Sequence, residues 1–164
     1  MAGETLVNCK EWPWFEQQMA AEGFAVVCHD GSEACRSPVC LVHTVGLSKR
    51  GMPEVILEGV ALPKAVELVG NVAAWMVAND LGSADVGKLP VSIPELQIEI
   101  FLMWLQPSVG ARKAPTACMV GESPQFVQMC LQDEAGRWPW DLEFGGGRDH
   151  RASVREDGDS NSSH

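Results

Sequence analysis

The chain has 164 residues and a formal net charge of −10, from 12 Lys plus Arg against 22 Asp plus Glu. This length suits one domain with a substantial core, and the acidic balance disfavours a nucleic-acid backbone or an anionic membrane as partner. Neither a run of about 18 apolar residues nor a basic-then-apolar N-terminus is present, so the sequence predicts a soluble cytoplasmic protein.

The first elements are a short helix and a strand. Residues Trp12 to Glu22 place bulky apolar side chains at helical spacing, with Pro13 in the first turn and Gly23 at the stop. Residues 24–29, Phe-Ala-Val-Val-Cys-His, follow as an apolar, β-branched run. They predict a strand that ends before Asp30.

The centre of the chain is a predicted hairpin. Val39 to Leu47 and Glu54 to Val60 are β-branched apolar runs around a short turn that contains Gly51 and Pro53. Two such runs around a turn indicate two buried, paired strands. Gly46, isolated in the first run, predicts either a bulge or the close approach of a ligand.

The longest helix is predicted over Pro63 to Asp80. Apolar residues recur at spacings of three and four there, Pro63 suits the first helical position, and Gly82 lies just beyond the end. A single long helix placed after the third strand argues against a doubly wound parallel sheet.

The second half of the chain predicts three more strands. These are residues 89–93, 96–105 and 125–132, with a loop at 107–115 between the last two. Phe101 to Leu105 is continuously apolar, and a helix there stays open because periodicity does not decide it. The last strand alternates, with Phe126, Gln128 and Cys130 on one face and Val127, Met129 and Leu131 on the other.

The overall prediction is a single α+β domain over residues 1–147. It consists of a curved, mostly antiparallel sheet of about six strands, one long packed helix and a shorter N-terminal helix. Residues 148–164 are polar and charged with few apolar side chains. They cannot bury enough surface to offset their ordering entropy, so a disordered tail is predicted.

Several cysteines and histidines lie close together in the first quarter of the chain. Cys28, Cys35, Cys40 and His43 invite a metal hypothesis, but the gaps of six and four residues do not match paired zinc knuckles. A Cys nucleophile with a His base has no matching signature either. The sequence therefore favours free thiols and assigns no metal site and no catalytic residue.

Three ordered pieces carry a family resemblance. They are Thr44-Val-Gly-Leu, Gly51-Met-Pro-Glu, and Asp133-Glu-Ala-Gly-Arg-Trp-Pro-Trp-Asp. Together they resemble a bacterial family known as domain of unknown function 4262. His43 and Gln132 stand where that family has an aromatic residue and a proline. The resemblance implies a bacterial protein and carries no established reaction.

The strongest candidate site combines the hairpin with the Arg-Trp-Pro-Trp run. Two indoles and a guanidinium on a backbone stiffened by proline suit a flat ligand or a carboxylate. The alternative is a structural role, with the indoles covering the core and the arginine paired to Asp141 or Glu54. The candidate ligand-binding residues are Thr44, Gly46, Glu54, Arg137, Trp138 and Trp140.

The predicted function is a non-enzymatic binding or accessory module whose partner is a small molecule or a protein. The alternative is a small flavin-linked oxidoreductase, because the Thr44-to-Leu47 strand with its hairpin looks like part of a split-barrel flavin domain. That likeness is at the level of fold only. The cofactor stays unknown.

Overall fold

A computed structural model describes residues 12–28, 39–61, 64–81, 90–93, 97–114, 117–118, 124–145, 150–151 and 154. At 12–16, 39–40 and 61 it describes the backbone alone. The helices are α1 (Trp12–Glu22), α2 (Lys64–Ala78) and α3 (Pro107–Lys113). The strands are β1 (Ala25–Cys28), β2 (Val39–Val45), β3 (Glu54–Ala61), β4 (Val91–Ile93), β5 (Ile98–Trp104) and β6 (Phe126–Leu131).

The strands form one open six-stranded sheet in the order β1-β2-β3-β6-β5-β4. This arrangement confirms the predicted α+β class. Four neighbouring pairs are antiparallel, while β3 and β6 pair in parallel, so the sheet is mixed. The parallel pair arises because α2, β4, β5 and α3 lie between the two strands in the chain, and that crossover brings β6 back beside β3 in the same direction.

The two faces of the sheet bury two separate apolar cores. Helix α2 packs on one face, where its Val66, Val69 and Val72 share one apolar core with strand residues such as Leu57 and Met129. The other face carries a smaller core. Its members are Ala25, Val27, Val45, Ile56, Leu105, Ala114, Ala117 and Phe126. We call this second face the α3 face, because α3 covers part of it.

Strand β6 shows the predicted alternation. Val127 and Met129 belong to the α2 core, and Phe126 belongs to the core of the α3 face. Gln128 also lies on the α3 face and is fully buried, opposite Ile56 of β3 and Met103 of β5. The one glutamine of β6 therefore lies in the interior of the sheet.

The predicted loop at residues 107–115 is wrong, because α3 occupies Pro107–Lys113. Pro107 stands in the first turn, a position that needs no backbone donor. Gly110 obscures the helical pattern, yet the fold requires it: a Cβ at this position would overlap the ring of Phe126. The glycine allows α3 to approach β6 closely.

The bulge predicted at Gly46 lies instead at Gly59. The β2–β3 register shifts there: Cys40 pairs with Val60 while Leu41 pairs with Glu58. Gly59 is the extra residue and has φ +82°, as expected for a glycine in a bulge. Gly46 has φ +108° and begins a short 3-10 helix, Leu47–Arg50, that connects β2 to β3.

Three residues of the predicted tail are described, and two of them are buried. His150 and Val154 are each 2% exposed. His150 and Arg151 also make hydrogen bonds to the sheet and to a loop. At these positions the chain differs from the expectation of a disordered polar tail. Within the described ranges, none of the helices has the length and apolar character needed to cross a membrane.

Candidate functional site

The structure separates the six candidate residues into two groups. Glu54 pairs with Phe126 at the start of β6, whereas Arg137, Trp138 and Trp140 follow the end of β6 at Leu131. Phe126 and Leu131 are five steps apart, and a rise of about 3.3 Å per step puts roughly 17 Å between the two ends. The single pocket predicted from the sequence is therefore replaced by two sites at opposite ends of one strand.

The first group is centred on the buried carboxylate of Glu54. Oε1 accepts hydrogen bonds from Thr44 Oγ1 at 2.8 Å and Leu47 N at 3.2 Å. Oε2 accepts from Gly46 N at 3.1 Å and Ser48 N at 3.0 Å. Three consecutive backbone donors at the start of the 3-10 helix are thus satisfied by one side chain, which fixes the connection between β2 and β3.

Thr44 extends this network into the strand ladder. Its hydroxyl donates to Glu54 and accepts from Val55 N at 2.9 Å. Glu54 is 0% exposed. Burial raises the pKa of its carboxyl above the ordinary 4.5, and the hydrogen bonds from Ser48, Thr44 and Gly46 oppose that rise.

Gly46 completes this group through its backbone conformation and its lack of a side chain. Its φ of +108° is unfavourable for other residues, and a Cβ there would lie 2.8 Å from Met19 of α1. The Thr-Val-Gly-Leu and Gly-Met-Pro-Glu pieces therefore encode one internally bonded turn. We assign Thr44, Gly46 and Glu54 a structural role.

The second group lies on a closed loop, residues 133–145, that we call the indole loop. Asp133 holds both of its ends: Oδ2 accepts from Gly145 N at 2.7 Å, and Oδ1 accepts from Arg137 N at 2.8 Å and Ala135 N at 2.9 Å. These bonds, the Gly145 amide first, lower the pKa of Asp133 to about 2. Asp133 is therefore ionised at neutral pH and closes the loop.

Arg137 is neutralised inside this loop. Its Nε donates to Asp133 Oδ2 at 2.9 Å, and Nη1 lies 3.4 Å from Glu143 Oε2. The structural interpretation of the arginine is thus supported, but its partners are Asp133 and Glu143 rather than Asp141 or Glu54. Asp141 instead accepts from Trp138 N at 2.8 Å. A ligand carboxylate would have to compete with carboxylates already bound to Arg137.

The two indoles stack on each other above Phe101. The Trp138 and Trp140 ring centroids are 5.3 Å apart with an angle of 8° between the planes. Phe101 of β5 meets both rings edge-on, at 6.3 Å and 5.6 Å. Such offset and edge-on pairs stabilise beyond the area that they bury. The stack forms a firm apolar platform on the α3 face.

One side of the indole loop is exposed. Trp140 is 45% exposed and Leu142 is 88% exposed, although Pro139 between the indoles is buried. The backbone at this tip is held by turns, with Asp141 N donating to Trp138 O at 2.9 Å. Large apolar side chains are thus displayed to solvent by an ordered backbone.

A cleft of about 420 Å³ adjoins the indole loop. Glu99 lines it and shares the α3 face of β5 with Phe101, because the two are two residues apart on one strand. The loop itself contributes Asp133 and Glu134. The cleft is therefore acidic and borders the Asp133 end of the indole loop.

Cys28 and His43 do not lie together as the metal hypothesis would require. Cys28 belongs to the α2 core, whereas His43 pairs with Val27 and shares the opposite face. Cys35 and the Cys40 side chain lie outside the described residues. The described part of the chain contains no group of three or more His, Cys, Asp or Glu side chains suited to a metal ion.

Sequence reasoning missed Phe101, Asp133 and Leu142. The Asp133-to-Gly136 turn was visible, but its closing bonds to Arg137 and Gly145 depend on tertiary geometry. Phe101 supports the indoles from β5, which is distant from the indole loop in the sequence, and no local pattern connects the two segments.

Comparison with known proteins gives no relative: no family model, no curated protein and no solved structure matches the chain. The resemblance to the bacterial domain of unknown function 4262 therefore stays a prediction from three sequence motifs.

Proposed function

We propose that this protein is a non-enzymatic binding module that takes a short protein segment at the exposed side of the indole loop. The segment would carry an apolar residue next to Lys or Arg. One observation carries the proposal: Trp140 and Leu142 are exposed on a loop whose ends are joined through Asp133. Its setting in the bacterial cytoplasm stays a prediction from the sequence.

The ordered backbone and the exposed apolar side chains of the indole loop together favour binding to a partner. An apolar side chain in solvent contributes little to folding, and Trp is the residue type most enriched among the dominant contacts of protein interfaces. A backbone already fixed by hydrogen bonds loses little conformational entropy when a partner binds. Trp140 and Leu142 therefore have the properties of contact residues for a macromolecular segment.

Charge specifies the partner. Residues 133–145 include four carboxylates, Asp133, Glu134, Asp141 and Glu143, against two cations, Arg137 within the loop and Arg151, which bonds the loop backbone from outside. Glu99 adds a further carboxylate in the adjoining cleft. A basic side chain placed there would be attracted and could also stack on an exposed indole. An anionic partner would be repelled, which replaces the earlier expectation of a carboxylate ligand.

Selection from a phage-displayed random peptide library tests the proposal. Immobilised wild-type protein should enrich peptides that combine an apolar anchor with Lys or Arg, and the selected peptide should bind more weakly at high salt. Trp140→Ala and Leu142→Ser should each weaken its binding by about tenfold or more. Glu67→Ala is the control, because Glu67 is exposed on α2 at the opposite face.

Two results would count against the binding module. Failure to enrich any common peptide would remove the support for a segment partner. Stoichiometric binding of added flavin mononucleotide, unaffected by Trp140→Ala, would favour the flavin-linked alternative instead.

A further inference from the structure

The described C-terminal residues lie where β3 and β6 stop pairing. The parallel ladder runs from Glu54 and Phe126 to Ile56 and Gln128. Beyond it, His150 occupies the interval between the strands. Its Nδ1 lies 2.9 Å from Glu58 O on β3, and its Nε2 lies 3.0 Å from Leu131 N on β6.

These two bonds require one protonation state of the imidazole. Glu58 O accepts only, so Nδ1 carries the proton and donates it. Leu131 N–H donates only, so Nε2 must present a lone pair. The neutral Nδ1–H tautomer satisfies both groups, whereas a protonated ring would point an Nε2–H at the Leu131 N–H. His150 is 2% exposed, so water does not take over either role.

The next residue reaches the indole loop. Arg151 Nη2 donates to the carbonyl oxygens of Asp141 at 3.0 Å and Leu142 at 3.3 Å. These carbonyls follow Trp140 directly in the chain. The guanidinium thus holds the backbone of the residues that are proposed to contact the partner, and His150 places that guanidinium.

We propose that His150 and Arg151 form a strap that positions the tip of the indole loop, and that protonation of His150 releases the strap and weakens binding at Trp140 and Leu142. The regulation of binding rests on the proposed function, whereas the release of the loop is a property of the fold alone. Arg151 is a positioning residue here, because it acts through the loop backbone.

Burial sets the direction of the pH response of His150, and the groups around the ring oppose it. Strand β3 presents Glu58, whose carboxylate is paired with Lys113 of α3 at 2.8 Å. On β6 the residue before Leu131 is the buried Cys130, and the strap itself adds Arg151. Burial lowers the pKa of His150 below the ordinary 6.5, and the carbonyl and charge of Glu58 oppose that effect.

The sign of the pH response follows from this shift. The unfolded or undocked histidine takes up a proton more readily than the docked one, so acid favours release. The docked state is fully favoured above the ordinary pKa of 6.5 and loses stability as the pH falls from there through the lower, docked pKa.

Hydrogen exchange of the loop amides tests the strap without any ligand. Trp138 N and Asp141 N are bonded within the loop and report its order. In the wild type, their protection should fall about tenfold or more between roughly pH 7.5 and 5, after correction for intrinsic exchange. The amide of Leu105, which donates to Phe126 O on β6 at 3.0 Å, should keep its protection as the internal control.

Two variants separate the strap from general stability. In His150→Gln the pH-dependent change should disappear, because no group titrates there. Arg151→Ala should lower loop protection about tenfold at pH 7.5 while Leu105 stays protected, and Arg151→Lys should restore part of it. The selected peptide should lose affinity in parallel with loop protection.

The strap is overturned if wild-type loop protection is constant across this pH range, if His150→Gln keeps the same transition, or if Arg151→Ala leaves the loop unchanged. Failure of the peptide selection would overturn the binding module and would leave these exchange results to decide the strap separately.

Discussion

Replacing Glu54 by glutamine should destabilise the protein strongly, although one side-chain oxygen is kept. The carboxylate accepts four hydrogen bonds, two at each oxygen, from Thr44, Gly46, Leu47 and Ser48. An amide has one acceptor oxygen and one NH₂ donor. In the orientation that keeps the bonds to Thr44 and Leu47, the NH₂ group faces the backbone N–H groups of Gly46 and Ser48.

The size of the destabilisation follows from these two backbone N–H groups, which lose their acceptor. A buried donor left without an acceptor costs about 1–3 kcal/mol, so two cost roughly 2–6 kcal/mol. The neutral amide recovers part of the free energy that burying a charge requires, which offsets some of this loss. We therefore expect the free energy of unfolding to fall by about 2–4 kcal/mol.

Equilibrium urea unfolding at neutral pH, followed by tryptophan fluorescence, measures the effect. Glu54→Gln should lower the urea midpoint at an unchanged slope. Glu67→Gln on the exposed side of α2 should change the free energy of unfolding by less than about 0.5 kcal/mol. A Glu54→Gln protein as stable as the control would refute the structural role and would return Glu54 to the list of ligand-binding candidates.

Three further predictions concern packing, the C-terminal residues and the indole loop. Gly110→Ala should lower the free energy of unfolding by about 1–3 kcal/mol because the new Cβ overlaps Phe126. Gly70→Ala is the control: its new Cβ would lie 4.0 Å from Val26, so the change should be neutral or stabilising in the same thermal melts. Equal melting temperatures for the two variants would contradict the close approach of α3. Truncation after Gly147 should cost about 1–3 kcal/mol by removing the acceptor of Leu131 N, and an unchanged thermal midpoint would favour the disordered tail instead. Asp133→Asn should weaken binding of the selected peptide about tenfold, because an amide cannot accept the bonds from both Gly145 N and Arg137 N; unaltered affinity would show that loop closure is not needed.

Local sequence patterns predicted much of the fold. The limits of α1 are as expected, because Pro13 and Gly23 mark them chemically. Helix α2 was predicted from its apolar spacing and is shorter than expected, ending at Ala78. The alternation in β6 also predicted which of its side chains face α2.

The features that were missed depend on contacts between distant residues. The parallel pairing of β3 with β6 joins residues more than 70 positions apart, since Glu54 pairs with Phe126. The reason for Gly110 is a ring on β6, and the burial of His150 depends on two strand ends. The composition of the C-terminal segment indicated that it is polar. It could not show that His150 bonds both β3 and β6 beyond the end of their ladder.

The candidate site was predicted in part. Thr44, Gly46 and Glu54 do meet, because the hairpin turn brings them together. Their contacts supply hydrogen-bond acceptors to the backbone N–H groups of the turn itself. Residue types alone do not reveal such a structural role. Arg137 was expected either to bind a ligand or to pair with Asp141 or Glu54, and its pairing with Asp133 and Glu143 became visible only in the folded loop.

The indole N–H signals in a proton–nitrogen NMR spectrum test the binding proposal most directly. On titration with the peptide selected by the wild type, the Nε1–H signal of Trp140 should shift, because its ring is exposed at the proposed contact. The signal of Trp75, half-buried against the α2 core, should stay in place. A shift at Trp75 with an unmoved Trp140 signal would contradict the indole loop as the binding surface.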